Sequence, residues 1–482
     1  MKRKLFYITT VFAFMAAIII ISACNEENLD LDPFAQTELA YFNDQDAFER
    51  GIRGVYAKLT DFYWFNANNP NHEVWLLPGD DLTTDGDFPT EHFATLEPSN
   101  GRIGYIYDKC YDLVGRANAM LEKIETIGAD IYEDPDLMDY NRGEALFLRS
   151  WANYFLFVFW EKAPLINERI QGVGEETKQP ESEGTALLDQ AIADLTKAAG
   201  LLPESWDAEF AGRVTKASAN GLLGRVYMVR AAYGGGNADY SAAITAFDKI
   251  TMRELAPKFG DNFDGNKENN IESLFEFQAS NVPGFENIWL GNEFNQTIGS
   301  MHAYWGFFND TWSFWSHNPF EPTEKLRNTF EAGDPRIDET FRPNDGDNFN
   351  GWEFIKYTKR DAPGKNTTSL NNPRILRYAD VLLLKAEAIV RTGGSTSDAI
   401  ELVNEIRTRA RNSVPDTIPV SSVPADYDTG ESNTETVLEW IKKERFMELA
   451  GEESHRWVDI KRWYKEGDLT INNEFFSSLR DD

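Results

Sequence analysis

The densest set of side chains suited to holding a ligand lies between Phe285 and Phe320, where Trp289, Phe294, Tyr304, Trp305, Phe307, Phe308, Trp312, Phe314 and Trp315 interrupt a stretch rich in Gly, Asn and Asp. Four of the protein's 13 Trp fall there. Indole and phenol rings pack flat against the C–H faces of sugar rings, and neighbouring amides and carboxylates bond the hydroxyls, which is how an open site holds an uncharged glycan. Trp289, Tyr304, Trp305, Trp312 and Trp315 are the candidates; the last four are spaced by Gly306, Asn309 and Asp310. The same rings would also serve as a local aromatic core pinning an insertion. A second patch, Asp61-Phe62-Tyr63-Trp64-Phe65-Asn66-Ala67-Asn68-Asn69-Pro70, runs on to Trp75 and Gly79-Asp80-Asp81. Tyr63, Trp64, Trp75 and Asp80 are its candidates, with packing at a helix end as the other reading.

Catalytic patterns are weaker. A glycosidase needs two carboxylates flanking one bond, one with its pKa raised by burial, and among 79 acids no pair stands out. There is no G-x-S-x-G elbow, and Gly234-Gly235-Gly236 lacks the Lys-Ser/Thr ending of a phosphate loop. The five His (72, 92, 302, 317, 455) show no paired spacing, and two Cys cannot build a thiolate zinc site. Asp345-Gly346-Asp347 and Asp261-Asn262-Phe263-Asp264-Gly265-Asn266 supply oxygens for Ca²⁺, but neither completes an EF-hand; solvated turns explain them as well. No cofactor is implied. A formal charge of −32 repels phosphate backbones, which argues against nucleic acid.

The elements that must position these rings are helical. Before them, Lys2-Arg3-Lys4, an apolar run from Leu5 to Ile21 and Ile21-Ser22-Ala23-Cys24 read as a lipoprotein signal over 1–23 with Cys24 as the acylated first residue, the alternative being an uncleaved membrane anchor. Cleavage there would take the charge to −35. Residues 24–40, polar and acidic, read as a tether; 41–482 is the folded part. Cys110 then has no partner and reads as a small buried hydrophobe.

Apolar positions Phe48, Ile52, Val55, Tyr56 and Leu59 step by three and four, with Asp44 as N-cap, and the period recurs over about 103–125, 143–160, 184–199, 215–232, 240–252, 374–391, 397–411 and 434–449. Short Gly-bearing gaps join several of these into hairpins, which suits tetratricopeptide-like pairs; a single irregular α-domain fits almost as well. The fold class expected is mainly α, a scaffold of helical pairs over about 41–254 and 374–463 with an irregular aromatic-rich ligand region at about 255–373, where only Ser273–Gln278 and Trp352–Tyr357 read as strands. Arg149, Arg213, Lys216, Arg374, Arg377 and Arg445, with acids such as Glu144, Asp380 and Glu448 nearby, read as ion pairs within the packing.

Five segments in order resemble the SusD/RagB family of outer-membrane nutrient-binding lipoproteins. They are the lipobox with Leu29-Asp30-Leu31-Asp32-Pro33; Gly143-Glu144-Ala145-Leu146-Phe147-Leu148-Arg149-Ser150 through Tyr154-Phe155 to Ala163-Pro164-Leu165-Ile166; Gly212-Arg213-Val214-Thr215-Lys216-Ala217 with Leu222-Leu223-Gly224-Arg225-Val226-Tyr227; Asp334-Pro335-Arg336 with Pro373 to Leu384; and Lys443 to Trp463. Two departures stand out. Lys162-Ala163-Pro164 lacks the family's Gly-Asp before Pro, and Glu453-Ser454 before His455-Arg456-Trp457 adds one residue, both expected to lie away from the ligand surface. The resemblance implies a loop after the first helix that helps build that surface. It also implies capture of oligosaccharides without catalysis, for delivery to a SusC-like TonB-dependent outer-membrane transporter by a lipid-anchored protein facing the cell exterior. The competing classes are a surface glycosidase on a helical scaffold and a non-binding helical-repeat adaptor.

Overall fold

The computed structural model describes residues 38–63, 76–84, 101–172, 174, 178–279, 320–343, 351–357 and 371–471. The chain divides into a short N-terminal unit ending at Phe48 and a main unit from Glu49 onward. Helix α1, Gln45–Tyr56, starts where Asp44 Oδ1 accepts the Ala47 amide at 2.7 Å, the cap that its sequence announces. A helical turn at Glu38–Tyr41 already precedes it, overlapping the end of the stretch read as tether.

Among the described residues nine further long helices carry the main unit: α2 Gly101–Lys123, α3 Pro135–Trp160, α4 Ala186–Leu201, α5 Lys216–Arg230, α6 Gly236–Phe247, α7 Tyr378–Arg391, α8 Thr396–Asn412, α9 Thr434–Glu448 and α10 His455–Glu466. Neighbours pack in pairs, α3 on α4, α5 on α6 and α7 on α8, so the mainly helical, tetratricopeptide-like reading holds. Helix α3 begins eight residues earlier than its apolar period suggests. Asp134 caps it by accepting the Asp136 amide and Pro135 occupies the first turn, where its missing N–H costs nothing. In α5, Thr215 and Ser218 form a reciprocal capping box. A Cβ at Gly224 would overlap the Phe247 ring, so glycine is what lets α5 and α6 approach. Where α7, α8 and α9 meet, Leu383, Ile400, Val403, Ile406, Val437 and Ile441 are buried together, each contributing about 1.5–3 kcal/mol.

Three two-stranded antiparallel ladders complete the described part. They pair β1 (Leu82–Thr84) with β3 (Phe320–Pro322), β2 (Ser273–Glu276) with β6 (Arg374–Arg377), and β4 (Phe341–Pro343) with β5 (Trp352–Phe354). The strands read near 273 and 352 are present. Residues 374–377, read as the start of a helix, are instead a strand. Phe277 N donates to the Pro373 carbonyl and Tyr378 N to the Glu272 carbonyl, so cross-strand bonding overrides the helical period until Tyr378.

Charged groups, buried and paired, tie the ladders to the helices. Arg336 reaches Asp334 (2.7 Å), Glu444 (2.6 Å) and Glu448 (3.0 Å), and Arg377 reaches Glu272, Glu448 and Glu452, each at 2.7 Å. Arg149 bonds Asp194, Arg213 bonds Glu144 and Glu49, Arg374 bonds Glu268 and Glu276, and Arg445 bonds Asp380 and Asp459. Lys216 pairs with Glu204 nearer the surface. These are the packing pairs that the sequence anticipates; Arg149, Arg213, Arg336, Arg377 and Arg445 each make several hydrogen bonds, which buried charge requires, whereas Arg374 bonds through Nη1 and leaves Nη2 without a hydrogen-bond partner. Cys110 is buried on α2, its thiol pushed far above its ordinary pKa by burial.

Candidate functional site

Both aromatic patches leave the scaffold from one place. The helical turn Thr60–Tyr63 brings Tyr63 onto Phe277, rings stacked with centroids 4.8 Å apart and planes at 19°. Residues 64–75 therefore start beside the point where residues 280–319 depart. On the other side, β1 and β3 pair with Leu82 opposite Pro322 and Thr84 opposite Phe320. Residues 85–100 thus leave from the ladder at which 280–319 return. Thr323 locks this junction, its amide donating to the Asp81 carbonyl and its hydroxyl to the Asp80 carbonyl, both at 2.9 Å.

The turn between α9 and α10 supports the junction from below. Gly451 lies at φ 64°, and a Cβ there would run into the Phe354 ring; its amide donates to Asp81 Oδ2 at 2.8 Å. Glu453 Oε2 accepts the Tyr63 hydroxyl at 2.9 Å. Sequence reasoning missed Asp81, Gly451 and Glu453 as parts of the frame. The one available signal was the extra residue at Glu453-Ser454, which instead of lying apart from the patches holds the root of one of them.

Two candidates are corrected by burial. Tyr63 is 0% exposed, with its face on Phe277 and its hydroxyl on Glu453, leaving no ring surface for a sugar. Asp80 is also 0% exposed. Burial alone would raise its pKa, but the Arg456 guanidinium, which bonds both its oxygens, and then Lys325 at 2.6 Å bring it down to about 2. Both residues brace the frame. Phe320, from the larger cluster, is core as well. Trp64, Trp75, Trp289, Tyr304, Trp305, Trp312, Trp315 and the lipidation candidate Cys24 lie outside the described residues.

Glu453 has the raised pKa of a general acid, pushed up to about 8 by burial despite the bond from Tyr63. Its enclosure removes it from reach of a glycosidic oxygen, since a working acid must come within about 3 Å of the atom it protonates. Among the described residues no group of three or more His, Cys, Asp or Glu could hold a metal ion.

Among the described residues the chain is a mainly helical scaffold of paired helices, with the ends of residues 64–75, 85–100 and 280–319 braced on it. Residues 338–475 match the family model described as "SusD family", and residues 66–228 match one described as "Starch-binding associating with outer membrane". A SusD-like protein P2 from Formosa agariphila is 25% identical over 91% of this chain and 86% of its own length. A SusD homolog from Bacteroides thetaiotaomicron superposes with a TM-score of 0.73 at 20% identity, covering 89% of this chain and 88% of its own. A structure described as a laminarin-binding SusD-like protein gives 0.70 at 21%, covering 90% and 95%. SusD-family models thus match two separate stretches of the chain, and SusD-like proteins are similar to it along most of its length.

Proposed function

We propose that this protein is a non-enzymatic cell-surface receptor for an oligosaccharide, anchored in the outer membrane through acylated Cys24 and handing its ligand to a SusC-like TonB-dependent transporter. The observation that carries the reading is the convergence of roots. Tyr63 on Phe277, and Thr84 opposite Phe320, bring the origins of three segments together, two of them bearing Trp64, Trp75, Trp289, Tyr304, Trp305, Trp312 and Trp315. Ring-bearing segments that start from one braced frame suit a flat, uncharged, hydroxyl-rich ligand. Relatives described as glycan- or laminarin-binding support the class of ligand, and the family model's description supports the outer membrane. Stacking is nearly indifferent to hydroxyl stereochemistry, so the particular glycan is left to measurement.

Purified protein without the first 23 residues, incubated with a panel of oligosaccharides, tests the reading against the glycosidase alternative. Saturable binding without new reducing ends supports it. Sustained release of reducing ends, or no affinity for any glycan, overturns it.

A further inference from the structure

The α9–α10 turn, Leu449–Ser454, grips both roots through carboxyl groups that have no cation of their own. Asp81 and Glu453 are buried, each using one oxygen for the bond described above; Asp81 Oδ1 and Glu453 Oε1 have no partner. The charges nearby are already engaged. Beside Asp81, Arg456 and Lys325 are committed to Asp80, and Asp80 itself repels a second negative charge. Around Glu453, Arg225 of α5 bonds Asp380 of α7 at 2.7 Å and the Ile375 carbonyl at 3.2 Å. Arg445 of α9 bonds Asp380 and Asp459, and Arg462 of α10 bonds Asp459 and Glu387. Glu452, next in sequence, is committed to Arg377 and Lys356 and adds repulsion. Tyr154 of α3 and His455 line the same cavity. His455 Nε2 faces Arg225 Nη2 at 3.4 Å. A guanidinium only donates, so Nε2 accepts and the ring is neutral, in keeping with the depression of its pKa by burial and Arg225.

A carboxylate buried without a free cation is held in its neutral form. Burial pushes Asp81 up to about 6 and Glu453 up to about 8. The turn is also bent through left-handed backbone, φ 64° at Gly451, 25° at Glu453 and 60° at Ser454. For Glu453 and Ser454 that is a sparsely populated conformation, kept only while its surroundings enforce it.

We propose that this turn is a proton-operated clasp: with Asp81 and Glu453 protonated it holds the roots of residues 64–75 and 85–100, and loss of those two protons to solvent loosens them. The carboxylates formed at higher pH gain by reaching water, which favours local opening of the turn over the closed arrangement. The clasp stands apart from the identity of any ligand.

Hydrogen exchange on the unliganded protein, with rates divided by the intrinsic rate at each pH, reads the clasp directly. Protection of peptides covering Thr60–Tyr63 should fall at least about tenfold between pH 6 and pH 9, and that of peptides covering Leu82–Thr84 at least about tenfold between pH 4 and pH 7, since each pH unit between free and buried pKa values shifts an opening equilibrium by up to tenfold. Peptides from α3 should be unchanged. Glu453→Gln should remove the loss at Thr60–Tyr63, and Asp81→Asn the loss at Leu82–Thr84; Glu453→Gln alone decides if the second variant does not fold. Protection that is constant with pH in the wild type, or a loss that persists in Glu453→Gln, overturns the proposal.

Discussion

Replacing Glu387 with Gln tests how far buried charge holds the C-terminal helix in place. Glu387, on α7 and buried, receives Arg462 through two bonds at 3.1 and 3.0 Å and the Trp463 indole at 3.0 Å, both from α10. Burial by itself would raise its pKa, but Arg462, with Arg391 and Arg445 further off, brings it down to about 2 from an ordinary 4.5. A depressed carboxyl stabilises the fold above its unfolded pKa, and that stability is lost as pH falls toward the folded value. The difference of roughly 2.5 units corresponds to about 3 kcal/mol at pH 7, and to about 2 kcal/mol at pH 3.5, where part of the unfolded-state advantage is gone. Glu387→Gln keeps the shape and one acceptor but leaves Arg462 with only Asp459 at 2.9 Å, so the loss should fall within the 3–5 kcal/mol seen when one partner of a buried pair is removed. Urea unfolding followed by circular dichroism, at pH 7, 5 and 3.5, gives the wild-type-minus-variant difference. It should be largest at pH 7 and should shrink by about 1 kcal/mol by pH 3.5. A difference that does not change with pH would mean that packing, not charge, accounts for the loss, and would refute the reasoning.

Two other substitutions probe separate links. Cys24→Ala should yield a folded protein that leaves the membrane fraction after a high-salt wash, because stable retention needs acyl chains; its staying bound would count against the anchor. Gly224→Ala should destabilise the protein by about 1–3 kcal/mol, the usual cost of overpacking, as the new methyl displaces Phe247; an unchanged melting temperature would show that the α5–α6 approach can relax.

The sequence discloses those parts of the fold whose local signals agree with their tertiary setting. The Asp44 cap, the long period of α2 and the Gly-bearing hairpins of α5–α6 and α7–α8 are read correctly because apolar spacing and burial coincide. Helix α10 gives no such signal. Its inward face carries His455, Asp459 and Arg462, which are buried through charge pairing, so hydrophobic periodicity passes over it. Strand β6 fails for the converse reason: Ile375 and Leu376 continue the apolar run of α7, and only pairing with β2 decides their conformation. In the candidate site, Tyr63 and Asp80 have the composition of a ligand surface, but ring stacking across 214 residues and an ion pair across 376 turn them inward. Composition identifies which residues can meet a sugar, whereas long-range partners determine which of them are used up inside.

The central claim is that rings rooted on this frame hold a glycan, and calorimetric titration of wild type, Trp305→Ala and Trp312→Ala with the oligosaccharide that binds best tests it most directly when paired with thermal melts of the same samples. Each substitution should weaken binding by about 1–3 kcal/mol, the range for an aromatic ring stacked on a flat ligand, while the melting temperature barely moves. Unchanged affinity accompanied by a destabilisation of about 3–5 kcal/mol, the cost of emptying a core aromatic, would show that these rings are core and would contradict the account.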